Sequence, residues 1–267
     1  MLCFPNCKIN IGLYVTERRT DGYHNIETVF YPFPWEDVLE VTPAEQTNMH
    51  LYGKAIDGDT KTNLVLKAYL ILKEQFGDKI PALDIHLLKN IPMGAGLGGG
   101  SSDGAFMLKL LNDYCQLGLN KKQLAAHALS LGSDCPFFIY NTPQFAKGRG
   151  DDMQPIQLDL TSFSIQVVCP GIHVSTAAAF KMIQPAAAKF DLRQLRDLPL
   201  SAWKHNISND FEAAVFKSHP EIAALKEELY KQGAIYAAMS GSGSAVYGIF
   251  KKGEKAAIKD GYEIFYS

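Results

Sequence analysis

The first strand of the chain is predicted by an alternation of polar and apolar side chains. Within residues 7–15 the positions 9, 11, 13 and 15 are isoleucine, leucine or valine, and the intervening positions include Lys8 and Asn10. A period of two is typical of a half-buried β-strand. Side chains two positions apart point to the same side of a strand, so we expect Lys8 and Asn10 to lie side by side. The turn at residues 18–22 then predicts a returning strand over residues 25–31.

Residues 38–131 are expected to contain short strands and three helices. The first helix begins after Asn63, a good N-cap residue, because apolar residues then recur at helical spacing. Two further helices are predicted over residues 103–117 and 121–131. Short strands are predicted at 38–41, 50–52 and 83–87. The last of these strands leads directly into a glycine-rich segment.

A loop-rich stretch divides the chain. Glycine and aspartate are frequent in residues 141–155, so we expect a domain boundary there and two domains, residues 1–150 and 151–267. Because strands and helices are mixed without regular alternation, the predicted fold class is α+β. In the second domain strands are expected at 164–169, 234–239, 245–250 and 262–266, and helices at 175–182, 210–218, 220–231 and 252–260.

The glycine-rich segment is the most informative part of the sequence. Five of the seven residues from Gly94 to Gly100 are glycine, which reaches positive φ and lets a backbone approach a ligand closely. The residues Ser101, Ser102 and Asp103 are expected to cap the helix that follows. A glycine loop at a helix N-terminus directs several N–H groups and the positive end of the helix dipole to one point. This pattern predicts an anion site, most commonly for phosphate.

Two better-known phosphate loops fit less well. A P-loop ends in Gly-Lys-Ser/Thr, but no lysine follows Gly99. A dinucleotide-binding fingerprint matches at Gly94, Gly96 and Gly99, yet the next helix leads to a second helix and not to a strand with an acidic end. A flexible linker or a tight β–α turn is the remaining alternative, although linkers seldom stand between a strand and a strong helix.

Composition and charge narrow the function classes. The 267 residues carry a net charge of −2, with 47% hydrophobic and 20% charged residues, as is typical of globular proteins. Nucleic-acid binding is not expected, because no basic block is interleaved with aromatic residues. A membrane partner is not expected either, because no apolar run reaches spanning length. The five cysteines form no Cys-x-x-Cys pair and the seven histidines are scattered, which predicts reduced thiols, a cytoplasmic location and no zinc site.

Four other places are chemically suggestive but have ordinary explanations when each is taken alone. Lys8 is explained as a lysine reaching out from a strand edge, and Asp134 as a turn or helix-cap aspartate. Tyr23 and His24 are typical of a hairpin turn with half-exposed rings. Residues 240–244 are explained as a flexible, glycine-rich hairpin. The order in which these places occur along the chain favours a shared function.

The glycine loop resembles a known nucleotide-binding signature. Residues 92–102 match Pro-x-Gly-x-Gly-Leu-Gly-x-x-Ser-Ser, which resembles the ATP-binding signature of the galactokinase, homoserine kinase, mevalonate kinase and phosphomevalonate kinase (GHMP) superfamily. Segments 5–10, 132–136 and 240–243 occur in the same order as their counterparts there. The resemblance implies a two-domain fold, with a ribosomal-protein-S5-like N-terminal domain and a ferredoxin-like C-terminal domain. It also implies ATP contacts by Pro92, Met93, Gly94, Ala95, Gly96, Leu97, Gly98, Gly99, Gly100, Ser101, Ser102, Asn63 and Lys89.

The same resemblance implies a catalytic pair and a small-molecule substrate. Lys8 is expected to orient the attacking hydroxyl and stabilise phosphoryl charge, and Asp134 to accept the hydroxyl proton. Residues 21–24 resemble those of superfamily members that phosphorylate the 2-hydroxyl of a cytidylyl methylerythritol compound, on the isoprenoid route that does not use mevalonate. Mg²⁺ is expected with the ATP, without an assigned protein ligand. Substrate contacts are implied for Asn10, Tyr23, His24, Thr176 and Phe180.

Two other functions stay open at this point. One is a different GHMP kinase, acting on homoserine or mevalonate, although such a substrate has no use for base-stacking residues such as Tyr23 and His24. The other is a non-catalytic ATP-binding regulator, which has little need for both Lys8 and Asp134. For the oligomeric state, a monomer or a weak homodimer is expected.

Overall fold

A computed structural model describes residues 1–55 and 60–267 of the chain. These residues pack into two compact units, each assembled from separate stretches of sequence. The first unit contains residues 1–7, 34–93 and 98–142, and the second contains residues 8–33, 94–97 and 143–267. The expected domains 1–150 and 151–267 stay a prediction, because a packing unit need not coincide with a domain.

The secondary structure of the described residues mixes strands and helices, as the α+β prediction requires. The strands are β1 Leu2–Cys3, β2 Asn6–Arg18, β3 His24–Glu36, β4 Val38–Pro43, β5 Asn48–Gly53, β6 Leu83–Lys89, β7 Gln144–Lys147, β8 Asp152–Pro155, β9 Phe163–Cys169, β10 Tyr236–Met239, β11 Val246–Lys251 and β12 Glu263–Tyr266. The helices are α1 Leu64–Phe76, α2 Gly99–Tyr114, α3 Lys121–Leu131, α4 Cys135–Tyr140, α5 Thr176–Lys181, α6 Leu200–Asn206, α7 Phe211–Ser218 and α8 Pro220–Lys231. Short 3₁₀ turns occur at Thr60–Thr62, Gly77–Lys79 and Leu192–Asp197.

The first unit is built on a sheet of order β1-β4-β6-β5. β4 pairs antiparallel with β6, and β5 runs parallel to β6. Within β6, Leu83, Ile85 and Leu87 are fully buried and alternate with more exposed residues, which is the pattern that predicted this strand. Helices α1, α2, α3 and α4 pack against one another beside it. This unit therefore contains the strand and the helix that flank the glycine loop.

The helix after the glycine loop begins earlier than predicted. α2 starts at Gly99, and its N-cap is Gly98 in the left-handed conformation, with φ 73°. Ser101, Ser102 and Asp103 were expected to be capping residues, but they lie inside the helix. The prediction was wrong because glycine is unfavourable in helix interiors and serine is favoured at caps, whereas here the glycines themselves form the first turn.

The second unit contains two sheets, of order β2-β3-β7-β8 and β10-β11-β9-β12. One hydrophobic core of this unit joins β2 to the helices of the C-terminal half. Leu13 and Val15 of β2 share one hydrophobic cluster with Phe211 of α7, Leu229 of α8 and Phe250 of β11. The apolar face that predicted β2 is thus buried, and Lys8 and Asn10 are held on a rigid strand.

Two expectations for the second half were wrong. Residues 141–155 were expected to be loop, but they contain the hairpin β7–β8, whose four-residue strands are too short to show an alternation. The helix expected over 252–260 is absent. Instead, the side chain of Gln166 accepts the N–H of Ala256 at 2.8 Å and donates to its carbonyl at 3.1 Å. These bonds satisfy the backbone groups that a helix would have paired.

Candidate active site

The apex of the glycine loop, Gly94–Leu97, is held by backbone contacts within the second unit. The N–H of Lys8 donates to the carbonyl of Leu97 at 2.9 Å. Gly96 has φ +79°, and a Cβ atom there would lie 2.1 Å from the carbonyl oxygen of Ser240. Glycine is required at this position because both the conformation and the space exclude a side chain. The loop apex therefore lies against β2 and against the second glycine-rich segment, residues 240–244.

The other end of the loop forms the N-terminus of α2 in the first unit. An α-helix leaves the N–H groups of its first turn without intrahelical partners, and no side chain caps this one. The hydroxyl of Ser102 is buried there without a hydrogen-bond partner. Such a helix end binds anions through its N–H groups and its dipole. The predicted anion site thus has a helix end of a suitable kind, and its use for the phosphate groups of a nucleotide stays a prediction.

Lys8 and Asn10 lie side by side on β2, as their spacing predicted. The Lys8 ammonium donates to Asn10 Oδ1 at 2.5 Å and to the carbonyl of Gly96 at 3.1 Å. It also lies 5.0 Å from the centre of the Phe30 ring. Asn10 in turn donates through Nδ2 to the hydroxyl of Thr28 at 3.0 Å. Because Lys8 and Asn10 are only 4% and 2% exposed, this arrangement fixes the lysine charge beside the glycine loop.

Asp134 is the N-cap residue of α4 in the first unit, directly before its first residue, Cys135. Its backbone is helical, with φ −82° and ψ −17°, and its side chain makes no capping hydrogen bond. The ordinary explanation of this residue as a turn aspartate at a helix start is confirmed for its position, although its side chain does not cap the helix. Pro136 supplies the fixed φ that favours a helix start here, because a proline is tolerated in a first turn. The carboxyl group is half-buried.

The predicted substrate residues of the second unit form two groups. Tyr23 is 58% exposed, and the guanidinium of Arg149 lies 5.0 Å from the centre of its ring. His24 is stacked on Phe180, with ring centres 4.9 Å apart and an angle of 16°. Phe180 also packs edge-on against Phe211. The structure thus brings His24 and Phe180 into direct contact, and Tyr23 keeps an exposed aromatic face.

Thr176 is exposed at the start of α5, and its hydroxyl hydrogen-bonds that of Ser242 at 2.8 Å. This contact joins α5 to the second glycine-rich segment. Ser240 of that segment donates to the carbonyl of Gly96 at 2.9 Å and accepts the N–H of Asn10 at 3.2 Å. Residues 240–244 thus form the hairpin connection between β10 and β11, as expected, and their hydrogen bonds tie this connection to the glycine loop and to β2.

The last two predicted nucleotide contacts, Asn63 and Lys89, are engaged within the first unit. Asn63 caps α1, as predicted, with its Oδ1 accepting the N–H of Val65 at 2.9 Å. Lys89 is fully buried, and its ammonium is paired with Asp37 and Asp103. Burial lowers the pKa of Lys89, but the two carboxylates more than offset this and raise it overall. Their roles towards ATP stay predictions.

Sequence reasoning missed several residues that the structure places at the site. The ring of His173 is near Gly94, where a Cβ atom would lie 3.5 Å from its Nδ1. Arg149 contacts the predicted substrate residue Tyr23, and Asp37 binds Lys89. None of these belongs to a recognisable motif, because each reaches the site from a distant part of the chain. Only a contact map could have found them.

Comparison with known proteins agrees with this geometry. Residues 63–142 match the family described as GHMP kinases N terminal domain, and residues 183–267 match GHMP kinases C terminal. These matches confirm the fold that the glycine loop implied. Among the described residues, no helix is both long and apolar enough to cross a membrane.

Individual relatives are more specific. The chain is 51% identical over 252 residues to the 4-diphosphocytidyl-2-C-methyl-D-erythritol kinase of Parabacteroides distasonis, covering 94% of this chain and 92% of the relative. It is 50% identical over 255 residues to the same kinase of Bacteroides thetaiotaomicron, with 94% and 92% coverage. A crystal structure of 4-(cytidine 5'-diphospho)-2C-methyl-D-erythritol kinase aligns with a TM-score of 0.80 at 32% identity, over 93% of this chain and 90% of that one. Identity at this level over nearly the whole length places the chain in the 4-diphosphocytidyl-2-C-methyl-D-erythritol kinase family of the GHMP kinases.

Proposed function

We propose that this enzyme transfers the γ-phosphoryl group of ATP to the 2-hydroxyl of 4-diphosphocytidyl-2-C-methyl-D-erythritol, in the isoprenoid route that does not use mevalonate. The observation that carries the proposal is the fixed Lys8 ammonium, held by Asn10 and by the Gly96 carbonyl of the glycine loop. Phosphoryl transfer depends mainly on alignment and on stabilisation of charge, and a fixed cation beside a phosphate loop supplies both.

The glycine loop holds the β- and γ-phosphates of ATP in this proposal. Backbone N–H groups of residues 94–102 bind the phosphate oxygens, and the positive end of the α2 dipole adds attraction. Gly94, Gly96 and Gly98 all have positive φ, which turns the backbone around the bound group. The unpartnered hydroxyl of Ser102 is a further oxygen available to the phosphates or to their metal ion.

Lys8 and Asp134 are the proposed catalytic residues. The 2-hydroxyl oxygen forms a bond to the γ-phosphorus, the bond from that phosphorus to the bridging oxygen breaks, and ADP leaves. Asp134 accepts the hydroxyl proton, and Lys8 stabilises the negative charge on the transferred group. Because the transition state is loose, the proton is transferred late, and Asp134 also positions the hydroxyl.

The cytidylyl end of the substrate is proposed to bind in the second unit. Tyr23 offers an exposed ring on which cytosine can stack, and the neighbouring Arg149 carries a charge suited to the diphosphate. His24, fixed by its stacking on Phe180, is proposed to hydrogen-bond the edge of the base. Asn10 and Thr176 are proposed to contact the methylerythritol and phosphate groups.

Mg²⁺ is the proposed metal partner of ATP. Among the described residues no three His, Cys, Asp or Glu side chains are grouped as metal ligands. This fits Mg²⁺, which is bound mainly by phosphate oxygens and water, with one or two ligands from the protein. The ion would neutralise charge on the phosphates. We also propose a cytoplasmic location, which five cysteines outside any disulfide bond support, and a monomer or weak homodimer as the working state.

The decisive experiment measures ADP release with Mg²⁺, ATP and one alcohol at a time: 4-diphosphocytidyl-2-C-methyl-D-erythritol, homoserine or mevalonate. Turnover only with the cytidylyl compound, lost in Asp134→Asn and kept in the exposed control Asp152→Asn, supports the proposal. Turnover with homoserine or mevalonate instead would reject the proposed substrate. ATP binding without turnover of any alcohol would favour a regulator.

A further inference from the structure

Three buried charged groups meet in the first unit just outside the glycine loop. Lys89, the last residue of β6, has a fully buried side chain. Its ammonium binds Asp37 Oδ2 and, at 2.6 Å, Asp103 Oδ2. We call Lys89, Asp37 and Asp103 the buried triad. It contains two carboxylates and one ammonium.

The triad is hydrogen-bonded to the backbone at the point where the chain enters the glycine loop. Asp37 lies between β3 and β4, and its second oxygen, Oδ1, accepts the N–H of Asn90 at 2.6 Å and of Ile91 at 2.9 Å. These two residues come directly before Pro92, the first residue of the ATP signature. Asp37 is itself fixed, because its own N–H donates to the carbonyl of Pro5 at 2.9 Å. The entry to the loop is therefore tied to the sheet through Asp37.

The triad also includes a residue of the helix that follows the glycine loop. Asp103 belongs to α2, the helix whose N-terminus is the phosphate-binding end of the loop. The space is tight: a Cβ atom on Gly99 would lie 3.3 Å from the Lys89 ammonium and 3.0 Å from Ile91. A glycine at the first position of α2 thus lets the lysine pass close to the helix start and reach Asp103.

We infer that Lys89 is a positioning residue that, through Asp37 and Asp103, fixes both ends of the glycine loop and thereby sets the affinity for ATP. The inference rests on the proposed function only in taking this loop as the ATP site. It differs from the direct nucleotide contact that the family resemblance implies for Lys89. The ammonium is fully buried and paired with the carboxyl groups of Asp37 and Asp103, so it interacts with groups of the protein and not with the nucleotide.

Stability alone does not explain three buried ionisable groups. Removing ions from water is costly, and well-packed apolar side chains often stabilise a protein as well as a buried ion pair does. The triad contributes geometric precision, because charge-assisted hydrogen bonds fix the relative orientation of the backbone segments that they connect. A loop that must present several N–H groups to one phosphate needs that precision at both of its ends.

The test compares ATP dissociation constants, measured by calorimetry with Mg²⁺ and without any alcohol, for four variants. Lys89→Met and Asp103→Ala should each weaken ATP binding about tenfold, and the double variant should be no weaker than the worse single one, because the groups act as a unit. Asp103→Asn, which keeps an oxygen acceptor for Lys89, should have a smaller effect than Asp103→Ala. In turnover, the KM for ATP should rise while the KM for the alcohol changes by less than about threefold.

Leu72→Ala is the matched control, because Leu72 is fully buried in α1 of the same unit and its loss lowers stability without touching the triad. Variants of the triad that lose stability like this control but keep the wild-type affinity for ATP would reduce the triad to a structural role and overturn the inference. Weak binding in Lys89→Met with normal binding in Asp103→Ala would also overturn it, in favour of direct contact. Where Lys89→Met does not fold, the comparison of Asp103→Ala with Asp103→Asn decides. A wild type that binds ATP but phosphorylates no alcohol would reject the proposed function and leave this test valid.

Discussion

At the scale of single residues, the site depends on positions where only glycine fits. Gly96 is the clearest case, because its φ of +79° and its closeness to the Ser240 carbonyl independently exclude a side chain. The Lys8 ammonium binds the carbonyl of the same glycine. A change at Gly96 therefore alters the loop and the position of Lys8, the proposed catalytic lysine, together.

Gly96→Ala should weaken ATP binding and lower kcat. Its Cβ would lie 2.1 Å from a backbone oxygen, so the loop must move away from residues 240–244. Gly118→Ala is the control, since Gly118 also has positive φ, +73°, but has no atom within 4 Å of an added Cβ. Both variants are destabilised by about 1 kcal/mol because alanine is unfavourable at positive φ, and only Gly96→Ala adds a steric clash with the Ser240 carbonyl. Equal ATP affinity in the two variants, measured by calorimetry, would contradict the requirement for glycine.

At the scale of elements, the spacing of apolar residues predicted long helices and strands well and strands of only four residues poorly. The helix expected over 121–131 is found as α3 with the same bounds, because its apolar spacing is combined with the capping box of Asn120 and Gln123. The strand carrying Lys8 and Asn10 was predicted for a similar reason. β7 and β8 were missed because four residues show no period, and the helix over 252–260 was wrong because Gln166 binds that backbone.

Asn63 combines a cap with a predicted ATP contact, and the two roles can be separated. Asn63→Ala should cost about 1 kcal/mol of unfolding free energy through loss of the α1 cap, whereas Asn63→Asp should keep the cap. If Asn63 also contacts ATP, both variants should bind ATP more weakly. Asn120→Ala removes the cap of α3 and controls for the stability loss. Urea unfolding and ATP calorimetry on the three variants check this, and normal ATP binding in Asn63→Asp would limit Asn63 to capping.

The charge of the buried triad should be visible in the pH dependence of stability. Burial raises the pKa of Asp103 from 3.8 to about 8, with Lys89 opposing this shift and Asp37 adding to it. The folded state then binds more protons than the unfolded state between these two values, so rising pH weakens folding in that window. The other titratable group facing Asp103, Cys3 of β1, is a neutral thiol, because burial raises its pKa to about 12.

Asp103→Asn cannot titrate, so its stability relative to wild type should increase with pH between 3.8 and about 8. The slope should reach at most ~1.4 kcal/mol per pH unit. Urea unfolding at pH 6, 7 and 8 measures it, and Asp113→Asn, at an exposed site of α2, controls for the loss of one negative charge. A stability difference from wild type that stays constant from pH 6 to pH 8 would show that Asp103 is ionised throughout this range and would contradict the prediction.

At the scale of the whole molecule, the two substrates are proposed to be recognised in different ways. ATP is proposed to be bound by backbone geometry, for which the glycine pattern is a direct signal in the sequence. The cytidylyl substrate is proposed to be bound by side chains such as Tyr23 and Arg149, which are far apart in the sequence and close in the structure. Sequence alone therefore indicated a kinase more securely than it located the substrate contacts.

This division predicts that binding energy at the base contributes to catalysis at a distant hydroxyl. Stacking on an aromatic ring is worth about 1–3 kcal/mol per base, so Tyr23→Ala should lower kcat/KM for the cytidylyl substrate by about tenfold to a hundredfold. With 2-C-methyl-D-erythritol 4-phosphate, which lacks the base, wild type and Tyr23→Ala should react equally slowly. Tyr52→Ala, at a tyrosine of β5 that is 50% exposed, is the control.

Steady-state kinetics of the wild type and Tyr23→Ala with both alcohols forms a double-mutant-type cycle. The cycle gives the coupling free energy between the Tyr23 ring and the cytosine base directly. If Tyr23→Ala slows both alcohols by the same factor, the ring acts by shaping the site and does not stack on cytosine. If it raises only the KM for the full substrate and leaves kcat unchanged, the stacking energy is used for binding alone. A fall in kcat confined to the full substrate is the expected result, because energy from a remote group is then realised in the transition state.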